Sequence, residues 1–121
     1  MTASLSIDQI IEINLEMAEA FGGSSGVRDL ASLEGAAARP QTGYYRDLIV
    51  EGAALCESLL QNHPFIDGNK RTAITATAIF YDLNGYTLRF ADRELFDWLI
   101  GLYTAGRVNK QSLDAWFRSH L

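Results

Sequence analysis

Between Asn69 and Leu83 the chain places Ala73, Ile74, Ala76, Ala78, Ile79, Phe80 and Leu83 round the whole circumference of a helix. A helix that is apolar on every side has no solvent face, so it belongs at the centre of a bundle of other helices. The rest of the chain supplies those partners. Ile7, Ile10, Ile11, Met17, Ala18 and Phe21 follow the i, i+3, i+4 spacing of one helical face, with Ser6 and Gln9 placed as a capping box. Gly22-Gly23-Ser24-Ser25-Gly26 then breaks that helix into a loop. A short helix is expected over about residues 28–38, ending ahead of Pro40 because the residue before a proline is pushed out of the α region. A longer helix carries Ile49, Gly52, Cys56, Leu59 and Leu60 on one face, brings His63 near its end and is stopped by Pro64. Asn84-Gly85 caps the central helix. Two further helices, over about 93–105 and 111–120, carry Leu95, Trp98, Leu99 and Leu102, then Leu113, Trp116 and Phe117. Residues 41–46, with Gly43, Tyr44 and Tyr45, read as either an irregular loop or a small β-hairpin. The expected fold is therefore all-α, about six helices forming one domain over residues 1–121.

Composition narrows what such a bundle does. The 121 residues include 10 basic and 15 acidic side chains, a formal charge of −5, and an acidic whole disfavours direct DNA binding. No apolar run approaches the roughly 20 residues that span a bilayer, and the first residues lack the pattern of a signal peptide. The single cysteine, Cys56, allows no internal disulfide, which fits a reducing compartment. A soluble, cytoplasmic protein is expected. The pair Lys70-Arg71 is the only adjacent Lys/Arg pair in the chain, so it marks the address of any local cationic pocket.

That pair closes the segment His63-Pro64-Phe65-Ile66-Asp67-Gly68-Asn69-Lys70-Arg71, which joins the two most apolar helices. A turn needs Gly, Pro, Asn or Asp; it does not need a histidine, a lysine and an arginine crowded round an aspartate. Gly68 and Asn69 stand where the next helix begins, so their backbone N–H groups can form an anion nest. The helix dipole adds only about 0.3–1 kcal/mol in exposed settings, so a polyphosphate also requires cations. Arg71 can clamp phosphate oxygens bidentately and Lys70 adds a second charge. Asp67 supplies a hard oxygen ligand for Mg2+. His63 can accept a hydroxyl proton near neutral pH. Phe65 serves as the anchor of the loop in the core. A zinc hydrolase is disfavoured, because His63 and His120 are the only histidines.

The same segment resembles the signature of the Fic/Doc superfamily, His-Pro-Phe-x-Asp/Glu-Gly-Asn-Gly/Lys-Arg, and matches it without a break. The stretch Arg28-Asp29-Leu30, through Leu33-Glu34 to Ala38-Arg39-Pro40, is similar to the N-terminal part of death-on-curing (Doc) proteins. Phe80 to Gly85 looks like the end of their motif helix, so the resemblance covers roughly residues 5–90. It implies a Fic fold, with His63 as base, Asp67 as Mg2+ ligand and orienter of the acceptor hydroxyl, and Gly68, Asn69, Lys70 and Arg71 as binders of ATP phosphates. It also places residues 41–46 where the superfamily has a flap that docks target peptide by β-pairing.

Two departures from the commoner Fic pattern choose the branch. That pattern has a glycine and a second arginine where this chain has Lys70 and Ile74. Fic enzymes of the commoner type use those groups to seat the β- and γ-phosphates for AMP transfer. Lys70 would crowd that cradle and Ile74 cannot clamp a phosphate, whereas Asn-Lys-Arg-Thr-Ala resembles Doc toxins. The resemblance thus implies a kinase-like toxin that transfers the terminal phosphoryl group of ATP to a translation factor, elongation factor Tu being the family's target. AMP transfer and a catalytically inactive interaction module are the alternatives. Self-inhibited Fic proteins carry Ser/Thr-x-x-x-Glu-Gly/Asn. Glu34-Gly35 and Glu51-Gly52 follow Leu30 and Asp47 instead, so restraint by a separate Phd-like antitoxin chain is expected.

Overall fold

The computed structural model describes residues 2–121. Six α-helices follow in chain order: α1 (Ile7–Phe21), α2 (Leu30–Ala38), α3 (Leu48–Asn62), α4 (Asn69–Leu83), α5 (Asp92–Ala105) and α6 (Lys110–His120). The fold is all-α, with one isolated antiparallel bridge, Val27 to Phe65, as the β pairing among the described residues. No helix there is long and apolar enough to cross a membrane.

Helix ends follow local chemistry closely. The Ser6 hydroxyl accepts from the Gln9 N–H while the Gln9 side chain accepts from the Ser6 N–H, the reciprocal capping box expected at the start of α1. The start of α2 lies two residues later than the sequence suggests. Asp29 is its N-cap, accepting from the Ser32 N–H, and the N–H groups of Arg28 and Asp29 are already committed to the Pro64 carbonyl. The hairpin alternative for residues 41–46 is corrected. A 3-10 turn, Arg39–Gln41, leads into an irregular segment in which the Thr42 N–H bonds to the Arg39 carbonyl and the Tyr44 N–H to the Thr42 hydroxyl. Those groups are satisfied locally, so no strand partner is recruited.

In the bundle, α4 packs most extensively on α3, α3 carries α2 and α6, and α1 covers another side of α4. Leu33, Leu55, Leu59, Leu60, Phe80 and Phe117 form the centre of the core. Helices α3 and α4 approach closely at Gly52, where an added Cβ would overlap the buried Tyr81 ring. The Tyr81 hydroxyl donates to the Ile49 carbonyl at 2.7 Å just above it. Gly52→Ala is therefore expected to destabilise the fold by about 1–3 kcal/mol through overpacking, read as a lowered urea midpoint. An unchanged midpoint would show that α3 and α4 can separate freely.

The central helix is not enclosed on every side. Thr72, Ala73, Ala76, Thr77, Phe80 and Tyr81 are buried, but Thr75, Ala78 and Ile79 are only half-buried and face a cleft toward α5. Helix α5 has no fully buried residue. Its half-buried Leu95, Trp98, Leu99 and Leu102 pack against the core, and Trp98 stacks on Trp116 of α6 at 4.1 Å and meets Phe117 edge-on. Apolar residues on that flank of α4 line an opening of about 1090 Å³ instead of a packed interface.

Candidate active site

The loop between α3 and α4 is built on two glycine-like turns. Gly68, the N-cap of α4, has φ 72, a left-handed conformation that costs glycine little. At the other end His63 terminates α3 with φ 47 and ψ 58, and it is the non-glycine residue with positive φ among those described. Between them Phe65 is buried and anchors the loop, as its size leads one to expect. Asn69 staples the turn: its Oδ1 accepts from the Phe65 N–H and its Nδ2 donates to the Phe65 carbonyl, both at 3.0 Å.

Two distant segments brace this loop. Asn14 of α1 is 2% exposed and uses its whole amide there. Its Nδ2 donates to the Asp67 carbonyl at 2.9 Å and the Thr72 hydroxyl at 3.1 Å, and its Oδ1 accepts from the Gly26 N–H at 3.2 Å. The glycine-rich stretch after α1 lies directly on the loop, where the Ile66 N–H donates to the Gly26 carbonyl at 3.0 Å. Gly23 is pressed against the Asp67 side chain, so closely that a Cβ would stand 2.5 Å from Oδ2. The Arg28 guanidinium donates to the carbonyls of Asn62 and His63. Asn14, Gly23, Gly26 and Arg28 were not singled out as site residues from the sequence. Asn14 left a signal as a polar residue on the apolar stripe of Ile10, Ile13 and Met17, and Arg28 one as part of the stretch similar to Doc proteins.

The fold brings all six candidate residues to one place: His63, Asp67, Gly68, Asn69, Lys70 and Arg71 line the same cleft. The anion nest differs from expectation by one step. The Gly68 N–H is taken by Asp67 Oδ1 at 2.9 Å, and α4 has no side-chain cap. The outward-facing amides are thus those of the first turn, Asn69, Lys70 and Arg71, which have no intrahelical partner. Asn69 can offer an anion only its backbone, since its side chain is engaged with Phe65.

Both cations rest on aromatic faces. Lys70 Nζ stands 4.5 Å from the Tyr103 ring centroid, and Arg71 Cζ stands 4.5 Å from that of Phe21. Such contacts are worth about 0.5–1 kcal/mol at exposed sites. They hold two long side chains beside the α4 N-terminus at low cost in rotamer freedom.

Asp67 keeps Oδ2 without a hydrogen bond, beside a second opening of about 230 Å³ that Arg71, Gly22 and Gly23 also line. No group of three His, Cys, Asp or Glu side chains converges to hold a metal among the described residues. A single free carboxylate oxygen beside the unpartnered first-turn amides of α4 suits Mg2+, which binds through one or two carboxylates and takes its remaining ligands from phosphate and water.

Other reactive groups are engaged elsewhere. Burial pushes the Cys56 thiol up to about 12, so it is not a nucleophile at neutral pH. His120 stacks on Trp116 and lies 3.2 Å from a Glu94 carboxylate oxygen at the end of α6.

Two comparisons bear on this arrangement. The sequence model of the Fic/DOC family matches residues 4–81, a stretch that includes α1 to α3, most of α4 and the whole loop. The toxin Doc of Mycolicibacterium smegmatis (strain ATCC 700084 / mc(2)155) is 49% identical over 74 residues, covering 57% of this chain and 57% of that protein. The matched part thus spans little more than half the length of that relative. Helices α5 and α6 lie outside the matched family segment.

Proposed function

The chain belongs to the Fic/DOC family, and from that membership we propose that it is the toxin of a toxin–antitoxin pair. In this reading it is a kinase that transfers the terminal phosphoryl group of ATP to a hydroxyl of a translation factor, elongation factor Tu. The reading is carried by the convergence of His63, Asp67, Lys70 and Arg71 on one cleft at the uncapped N-terminus of α4. Lys70 and Ile74, where AMP-transferring relatives have glycine and arginine, favour phosphoryl transfer. The likeness to a protein named toxin Doc supports the toxin role.

The chemistry follows from the placement of the groups. The first-turn amides of α4 and the Arg71 guanidinium bind phosphate oxygens, and the Lys70 ammonium neutralises further charge. Mg2+, held by Asp67, would neutralise phosphate oxygens and help keep the leaving group in line. Asp67 orients the acceptor hydroxyl, and His63 takes its proton as the acceptor oxygen bonds to the terminal phosphorus. The bond from that phosphorus to the bridging oxygen breaks at the same centre, and ADP leaves with the electron pair. The restraining partner is an antitoxin chain encoded beside the toxin.

Purified protein incubated with elongation factor Tu and labelled ATP tests the reaction. Label should pass from γ-labelled ATP and not from α-labelled ATP. Transfer of the α-label would assign AMP transfer instead, and no transfer of either would leave the interaction module. Expression of the chain alone should arrest growth, with rescue by the neighbouring reading frame.

A further inference from the structure

Helix α3 ends in an unusual way. A left-handed residue commonly closes a helix, but it is usually glycine, because a side chain there clashes with the backbone. Here the position is His63, with φ 47 and ψ 58. Such a conformation persists in a non-glycine residue only where the surroundings over-determine it. Those surroundings are largely one residue. Arg28 Nε donates to the His63 carbonyl at 2.9 Å, and Nη2 donates to the same oxygen and to the Asn62 carbonyl at 3.0 Å. The Arg28 N–H continues the series, donating to the Pro64 carbonyl at 2.7 Å. A single arginine therefore holds three consecutive carbonyls around the histidine. Its guanidinium acts on the backbone and does not line the cleft, whereas His63 does.

We infer that Arg28 is a positioning residue for His63, locking the left-handed turn that aims the imidazole into the cleft. This rests on the reading of His63 as the proton acceptor. The planar fork of an arginine suits this role, because its five donors lie in one plane and a lysine ammonium cannot reproduce that geometry. The family signature lies wholly between His63 and Arg71, so Arg28 extends the working site to a residue 35 positions earlier. A misplacement of about 1 Å in a reacting group can cost about 100-fold in rate.

The test compares Arg28→Gln, Arg28→Lys and His63→Ala, alone and with Arg28→Gln and His63→Ala combined. Phosphoryl transfer from γ-labelled ATP to elongation factor Tu is one readout, and the His63 ring resonances in NMR spectra are the other. Arg28→Gln should lower kcat by about 10- to 100-fold while KM for ATP stays within about twofold, and Arg28→Lys should recover part of the loss. In the His63→Ala background Arg28→Gln should cause no further loss, because its effect passes through the missing ring. With His63 present, Arg28→Gln should also shift the His63 ring resonances while the rest of the spectrum remains that of a folded protein. Additive losses in the double variant, or a KM that rises in step with the fall in kcat, would overturn the inference. Unmoved ring resonances would overturn it whatever the activity. If His63→Ala alone leaves transfer intact, the reading of His63 as proton acceptor fails, and the resonances still decide whether Arg28 positions the ring. Should Arg28→Gln fail to fold, Arg28→Lys carries the same comparisons.

Discussion

Under the proposed function, His63→Ala is expected to reduce phosphoryl transfer to elongation factor Tu by about 100- to 10,000-fold, the range for removing a general base. The loss should fall on kcat and leave KM for ATP nearly unchanged, because Lys70, Arg71 and the first-turn amides of α4 remain in place. The fold itself should not suffer. His63 is exposed, and its ring makes no hydrogen bond among the described residues, so no core contact depends on it. Alanine occupies the same left-handed turn at only slightly greater strain than histidine, which tolerates that region better than most side chains. Thermal melting should therefore stay close to that of the unaltered chain, and growth arrest on expression should disappear. Transfer within about tenfold of the unaltered rate would be too small a loss for a general base and would remove His63 from the chemistry.

Phe117→Ala should be the most damaging of the stability changes considered, at about 3–5 kcal/mol. Its ring is fully buried and lies 5.5 Å from Tyr81, 5.8 Å from Trp98 and 5.9 Å from Trp116, each pair near edge-on. Truncation would open a cavity among three aromatic rings that are too rigid to collapse into it, and it would forfeit the edge-to-face contacts as well. For a domain whose total stability is typically about 5–15 kcal/mol, that is a large share. Urea denaturation should show a much lower midpoint with an unchanged slope. The stacked Trp98–Trp116 pair should report a change in fluorescence even where the protein is folded. A loss below about 1.5 kcal/mol would be well short of the cost of an enclosed Phe-to-Ala cavity and would show that this cluster is loosely packed.

That aromatic cluster also bears on the site. Helix α5 carries Trp98, which packs in that cluster, and Tyr103, which meets Lys70. The pattern of Leu95, Trp98, Leu99 and Leu102 correctly marked a helix there, but it did not say which apolar residues would be covered. Leu95 and Leu99 line the cleft, while Trp98 packs on α6. The same limit applied to α4. A flank that is buried and a flank that lines a ligand-sized opening both call for apolar residues, so periodicity alone cannot tell them apart.

Boundaries of α1, α3 and α4 were legible because they depend on neighbours in sequence: the Ser6–Gln9 capping box, Pro64, and the turn at Asn84-Gly85. The grouping of the loop's polar residues in one cleft was legible for the same reason, since His63 to Arg71 lie within one continuous segment. The role of Asn69 was only half visible. Its backbone belongs to the nest, but its side chain proved to be the staple for Phe65, a distinction that needs the turn's actual geometry.

What the sequence determined by itself was an all-α bundle and one loop carrying a histidine, a carboxylate and two cations, because helical period, capping and turn chemistry all act over a few residues. Tertiary structure alone decided how that loop is held. Asn14 reaches it across 53 and 58 positions, Arg28 across 35, and Gly23 leaves space for the Asp67 carboxylate. No local signal specifies such partners: they become neighbours only when α1 and α3 pack against α4, and the energy of that packing resides in contacts distant along the chain.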